Sequence, residues 1–89
     1  MDNPLERGGK PDDTPATAAT RVLIVDDSRD ALDFISLGLA RPGWQTEGAL
    51  SGAQALDLAG RWHPHAVVCD LHMPEMDGID VLRRLREMD

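Results

Sequence analysis

Val22-Leu23-Ile24-Val25-Asp26-Asp27-Ser28 decides the fold: a short, mostly β-branched run without polar alternation, ending abruptly in two carboxylates and a hydroxyl. Unalternating apolar text of this length suits a strand covered on both faces of a parallel sheet. A second such run, Ala66-Val67-Val68-Cys69, closes on Asp70, with Pro74 and Gly78 shortly after it. If the two strands are parallel neighbours, Asp26, Asp27 and Asp70 converge at one edge of the sheet. Three acids there suit a hard divalent cation and a nucleophilic carboxylate, which points to phosphoryl transfer onto an aspartate.

Outward from these runs the text alternates in kind. Ser28 is placed to cap a helix, and Ala31, Leu32, Ile35 and Leu39 follow at helical spacing up to Arg41-Pro42-Gly43, whose proline and glycine are predicted to end it. Trp44 to Ala49 reads as a weaker strand interrupted by Gly48. Ser51 and Gln54 form a capping-box signature ahead of Ala55, Leu58, Ala59 and Trp62, and His63-Pro64 stops this second helix. Asp77 can cap a third helix, with Val81, Leu82, Leu85 and Met88 as its apolar face. The order βαβαβα predicts an α/β fold with right-handed crossovers and a doubly wound parallel sheet. Ligands of such sheets bind beyond the carboxyl ends of the strands, where the winding reverses. With the first strand central, all three acids reach that crevice.

The 89 residues suffice for one small domain. Residues 1–20, with Pro4, Pro11, Pro15 and Gly8-Gly9, read as a disordered leader, and residues 21–89 as the folded part. A formal charge of -7, with 16 acidic against nine basic residues, argues against direct nucleic-acid binding. No N-terminal apolar segment and no run of about 18 apolar residues suggests secretion or membrane spanning, so the expected setting is cytoplasmic. Cys69 stands alone and reads as a small core residue; His63, His65 and His72 match no zinc spacing and read as loop residues. Trp44 and Trp62 are expected to pack, and Arg83, Arg84 and Arg86 to face solvent.

The acidic pair with its preceding strand, the strand-end Asp70, and above all Asp70-Leu71-His72-Met73-Pro74-Glu75-Met76-Asp77-Gly78 resemble the receiver domain of two-component response regulators. The resemblance runs from about Arg21 to Asp89 and implies a CheY-like, flavodoxin-like fold. It implies Asp70 as phosphoacceptor, taking its phosphoryl group from a sensor histidine kinase or a histidine phosphotransfer protein. It further implies Mg²⁺ as cofactor, held by Asp26, Asp27, Asp70 and the backbone carbonyl of His72, in a signalling module that is not an enzyme in its own right.

The receiver pattern continues beyond this text with two more strands and two more helices. They carry a Ser/Thr that senses the phosphoryl group and a Lys that pairs with it, whereas no lysine follows Lys10 here. The expectation is therefore a partial receiver lacking strands 4 and 5, a fragment or the product of an interrupted gene, phosphorylated poorly and switching weakly. An uncovered third strand is expected to promote self-association. An interaction or decoy fragment that keeps part of a receiver surface is the alternative, and an aspartate-nucleophile phosphatase a third reading. The phosphatase would need a second acid two residues after the nucleophile, where His72 stands.

Overall fold

The computed structural model describes residues 19–88. Six elements alternate: β1 (Thr20–Val25), α1 (Arg29–Gly38), β2 (Trp44–Ala49), α2 (Gly52–Trp62), β3 (Ala66–Cys69) and α3 (Gly78–Glu87). The strands form one parallel sheet in the order β2-β1-β3, with β1 central. The predicted leader lies outside the described residues except for its end, where Ala19 is buried and Thr20 already opens β1. The strand starts earlier than its apolar text because β2 supplies partners for Thr20 and Arg21 at Trp44 and Gln45.

Alternate residues of β1 feed opposite layers. Leu23 and Val25 join Ala49, Ala55, Ala59 and Val81 under α2 and α3, while Val22 and Ile24 meet Leu32 of α1. Gly48 serves the second layer. A Cβ at that position would stand 3.1 Å from Leu32 Cδ1, so its bareness lets α1 sit low on the sheet. The Ser36 and Thr46 hydroxyls, 2.9 Å apart, tie the same two elements together.

All three predicted caps form. Ser28 Oγ accepts from Ala31 N–H at 3.2 Å, Ser51 Oγ from Gln54 N–H at 3.1 Å, and Asp77 Oδ1 from Asp80 N–H at 2.9 Å. Gln54 Oε1 accepts in turn from Leu50 N–H, one residue before the cap. The end of α1 differs from expectation: the helix stops at Gly38, before Arg41-Pro42-Gly43 is reached. Leu39 N–H and Ala40 N–H donate to Ser36 and Leu37 carbonyls in a tightened last turn, and Pro42 disfavours helical geometry for the residue before it. Gly43, at φ 82°, turns the chain into β2.

Two-sided cover holds for β1 and fails for β3. Ala66 is exposed and Val68 is 41% exposed, because α1 packs over β1 and β2 and the outer edge of β3 has no strand partner among the described residues. The apolar face of α3 is likewise graded: Val81 is fully buried, Leu85 half-buried, and Leu82 and Met88 largely exposed. Trp62 packs against the core, whereas Trp44 is partly exposed with the Arg41 guanidinium stacked 4.9 Å from its ring centroid. No helix among the described residues is long and apolar enough to cross a membrane.

Candidate acidic site at the carboxyl edge of the sheet

Backbone ladders deliver the acids. Asp26 N–H donates to the Ala49 carbonyl at 3.0 Å and Asp70 N–H to the Val25 carbonyl at 2.8 Å, so both residues continue the sheet by one step past its strands. Asp26 and Asp70 are half-buried and Asp27 is exposed. One carboxylate oxygen from each of the three lies within 4.8 Å of the others, the convergence expected from the sequence.

Local donors orient two of these groups. Asp26 Oδ1 accepts from Ser28 N–H and Asp70 Oδ1 from His72 N–H, each at 3.0 Å. Each uses one oxygen in this way and keeps acceptor capacity in hand. Among the described residues none of the trio is ion-paired, the arginine–carboxylate pairs being Arg61 with Asp57 and Arg83 with Asp80 on helix surfaces. Three clustered carboxylates with no basic partner among the described residues match the oxygen-only donor set a hard cation takes. The site fits Mg²⁺. His72 contributes an orienting N–H that sequence reasoning did not anticipate.

The loop beyond Asp70 is seated by packing. Gly78, the first residue of α3, lies against the backbone of Asp70 and Leu71, and its N–H donates to the Leu71 carbonyl at 3.1 Å. Met73 and Met76 pack half-buried against the cluster under α2 and α3. Cys69 donates its S–H to the Asp70 carbonyl at 3.4 Å. Burial pushes its thiol above the ordinary range, and the charges of Asp70 and then Asp26 push it further. A thiol kept protonated is a poor nucleophile, in keeping with a packing role.

The other histidines sit at the opposite end of the sheet. His65 Nδ1 accepts from Arg21 N–H at 2.9 Å while His65 N–H donates to the Arg21 carbonyl at 2.8 Å. The Arg21 guanidinium donates to the Trp62 and His63 carbonyls at 2.9 and 2.8 Å, bracing a turn in which His63 takes a left-handed conformation at φ 54°. Nothing in the text announces this clamp, since it joins residues more than forty positions apart.

Comparison with known proteins agrees with this geometry. The model of the response regulator receiver domain matches residues 22–89. The chain is 42% identical over 72 residues to the transcriptional regulatory protein PrrA of Mycobacterium leprae, covering 81% of this chain and 31% of that protein. It is 43% identical over 70 residues to the regulatory protein AtoC of Escherichia coli, covering 79% and 15% respectively. It thus spans about a third or less of these relatives' length. Among solved structures, the chemotaxis protein CheY4 of Vibrio cholerae superposes with a TM-score of 0.75 at 31% identity, over 80% of this chain and 59% of that one. The receiver domain of the Francisella response regulator 1452 gives 0.69 at 33% identity, over 78% and 57%. With acids at the ends of β1 and β3, a β2-β1-β3 parallel sheet and a family match from Val22 onward, this chain belongs to the response regulator receiver domain family.

Proposed function

We propose that the chain is a phosphoacceptor in a two-component relay, with Asp70 receiving a phosphoryl group from a phosphohistidine on a sensor histidine kinase or a histidine phosphotransfer protein. The observation that carries this is the convergence of Asp26, Asp27 and Asp70 within 4.8 Å at the carboxyl edge of a parallel sheet. A carboxylate oxygen of Asp70 attacks phosphorus, the P–N bond to the imidazole breaks, and its electron pair leaves with the nitrogen. The product is an acyl phosphate. The hydrogen bond from His72 N–H to Asp70 Oδ1 holds the carboxylate plane and leaves the other oxygen for in-line approach.

Asp26, Asp27, Asp70 and the His72 carbonyl are the groups that would hold Mg²⁺, which when bound offsets the clustered negative charge and that of the incoming phosphoryl oxygens. The acceptor carries a signal and does not turn over substrate as an enzyme. The expected setting is cytoplasmic, without direct contact to nucleic acid by this domain. Self-association through the outer edge of β3 belongs to the same proposal: exposed Val68 and an unpaired edge among the described residues support it, and light scattering tests it.

The deciding experiment mixes the chain with a phosphorylated kinase or a small phosphodonor, with Mg²⁺ or with a chelator. Intact mass should show one hydroxylamine-labile phosphoryl group only with Mg²⁺, and none on Asp70→Asn. Labelling of Asp70→Asn to the native extent would overturn the assignment.

A further inference from the structure

Met73 and Met76 bracket Pro74-Glu75 in the loop that follows Asp70, both half-buried, with different neighbours. Met76 lies over bare Gly52 at the start of α2: a Cβ there would stand 2.8 Å from Met76 Sδ and 3.0 Å from Val81 Cγ2. Its sulfur is packed against the start of α2. Both methionines line a cleft shared with Asp27, Leu50 and Ala53, and Met73 alone also lines a second, more open one with Asp27, Leu71 and Asp77. The Met73 side chain packs half-buried against the core and lines both clefts beside Asp27.

We propose that Met73 is a modification site at which a hydroperoxide, by oxidising the thioether, releases the loop of residues 71–77 from α2 and disturbs the acidic centre. The sulfur gives up two electrons as the peroxide O–O bond breaks; one oxygen ends on sulfur as the sulfoxide and the other leaves as water or an alcohol. The sulfoxide is a strong hydrogen-bond acceptor, and it does not return to an apolar cluster that offers it no donor. Displacement reaches Asp70 directly. The loop contains His72, whose N–H orients Asp70 Oδ1, and leads into Gly78, whose N–H donates to the Leu71 carbonyl. The consequence for cation affinity rests on reading the trio as a cation site; release of the loop does not.

The test treats the full chain with hydrogen peroxide, maps the added oxygen by peptide mass, and follows amide hydrogen exchange at His72 and Gly78 together with a Mg²⁺ titration. Met73 sulfoxide should form ahead of Met76 sulfoxide, and exchange at Gly78 should quicken about fivefold, equivalent to about 1 kcal/mol of lost protection. Mg²⁺ affinity should fall by a similar factor, and methionine sulfoxide reductase should restore both readings. Met73→Leu, which keeps the volume without the sulfur, should hold its Gly78 exchange through peroxide treatment even as Met88, 48% exposed at the far end of α3, is oxidised. Unchanged Gly78 exchange in verified Met73 sulfoxide, earlier oxidation of Met76, or an equal response from Met73→Leu would overturn the proposal. A loop response in a chain that binds no Mg²⁺ in either state supports the modification and sinks the cation reading alone. A released loop with Mg²⁺ affinity intact refutes the link to the acids.

Discussion

Gly78→Ala adds one methyl group where α3 begins, and the structure leaves it no room. An ideal Cβ there would fall on the Asp70 carbonyl oxygen and stand 2.8 Å from Leu71 Cα and 3.0 Å from the Asp70 carbonyl carbon. All three are backbone atoms, so no side chain can rotate aside, and the helix start must retreat by about 1 Å to reach ordinary van der Waals contact. Overpacking of this kind costs about 1–3 kcal/mol, and the immobile backbone places this case at the upper end. Alanine returns up to about 1 kcal/mol in helix propensity, leaving a net loss of about 2 kcal/mol. With a urea slope of about 1 kcal/mol/M for a domain this small, the unfolding midpoint should fall by about 2 M without a change in slope. Gly38→Ala is the control: nothing lies within 4 Å of its Cβ and its φ is negative, so it should be neutral or stabilising by up to about 1 kcal/mol. A Gly78→Ala midpoint within about 0.3 M of the native chain would show that the loop yields freely and that its seating does not position Asp70.

Asp27→Ala should remove most Mg²⁺ binding and Asp26→Ala should weaken it, read from tryptophan fluorescence or amide shifts; equal affinity in the native and Asp27→Ala chains would refute the cation site. Arg21→Ala should lower stability by about 1–3 kcal/mol in thermal melts, because the Trp62 and His63 carbonyls lose a charged donor. Cys69 titrates above its unfolded value, so its contribution to stability is full below the unfolded thiol's range and is lost as pH rises through the folded value. Unfolding midpoints measured from neutral to alkaline pH should show that decline and lose it in Cys69→Ala, and alkylation of native Cys69 should need higher pH than that of a free thiol. Asp70→Asn should bring the alkylation profile down, since it removes the stronger of the two charge effects acting on the thiol.

The text showed what is local and periodic. Val22 to Val25 ending at Asp26-Asp27, and Ser28, Ser51 and Asp77 ahead of their helices, announce themselves because a strand's burial and a cap's hydrogen bond are made within a few residues. Asp70 was legible for the same reason, as a charge that cannot extend an apolar run. What the text hid depends on distant partners. Exposure of Val68 reflects which helix lies over β3, the packing of Met76 depends on Gly52 more than twenty residues away, and the Arg21–His65 clamp needs the finished sheet. The early end of α1 is a different case: a closing turn at Leu39 forestalled the more conspicuous proline.

The clamp and the acids occupy the two ends of one ladder, and this makes the spacing of the carboxylates a matter of register. Arg21 and His65 exchange hydrogen bonds where β1 and β3 begin, and Asp70 N–H finds the Val25 carbonyl where they finish. A slip of one residue between these strands would carry Asp70 about 3.3 Å along the sheet and turn its side chain to the other face. No rotamer change could recover the trio from there. The far end of the sheet therefore acts as the zero mark of a ruler, and mutations around His63-Pro64-His65 that never touch an acid should show first as misalignment of Asp70.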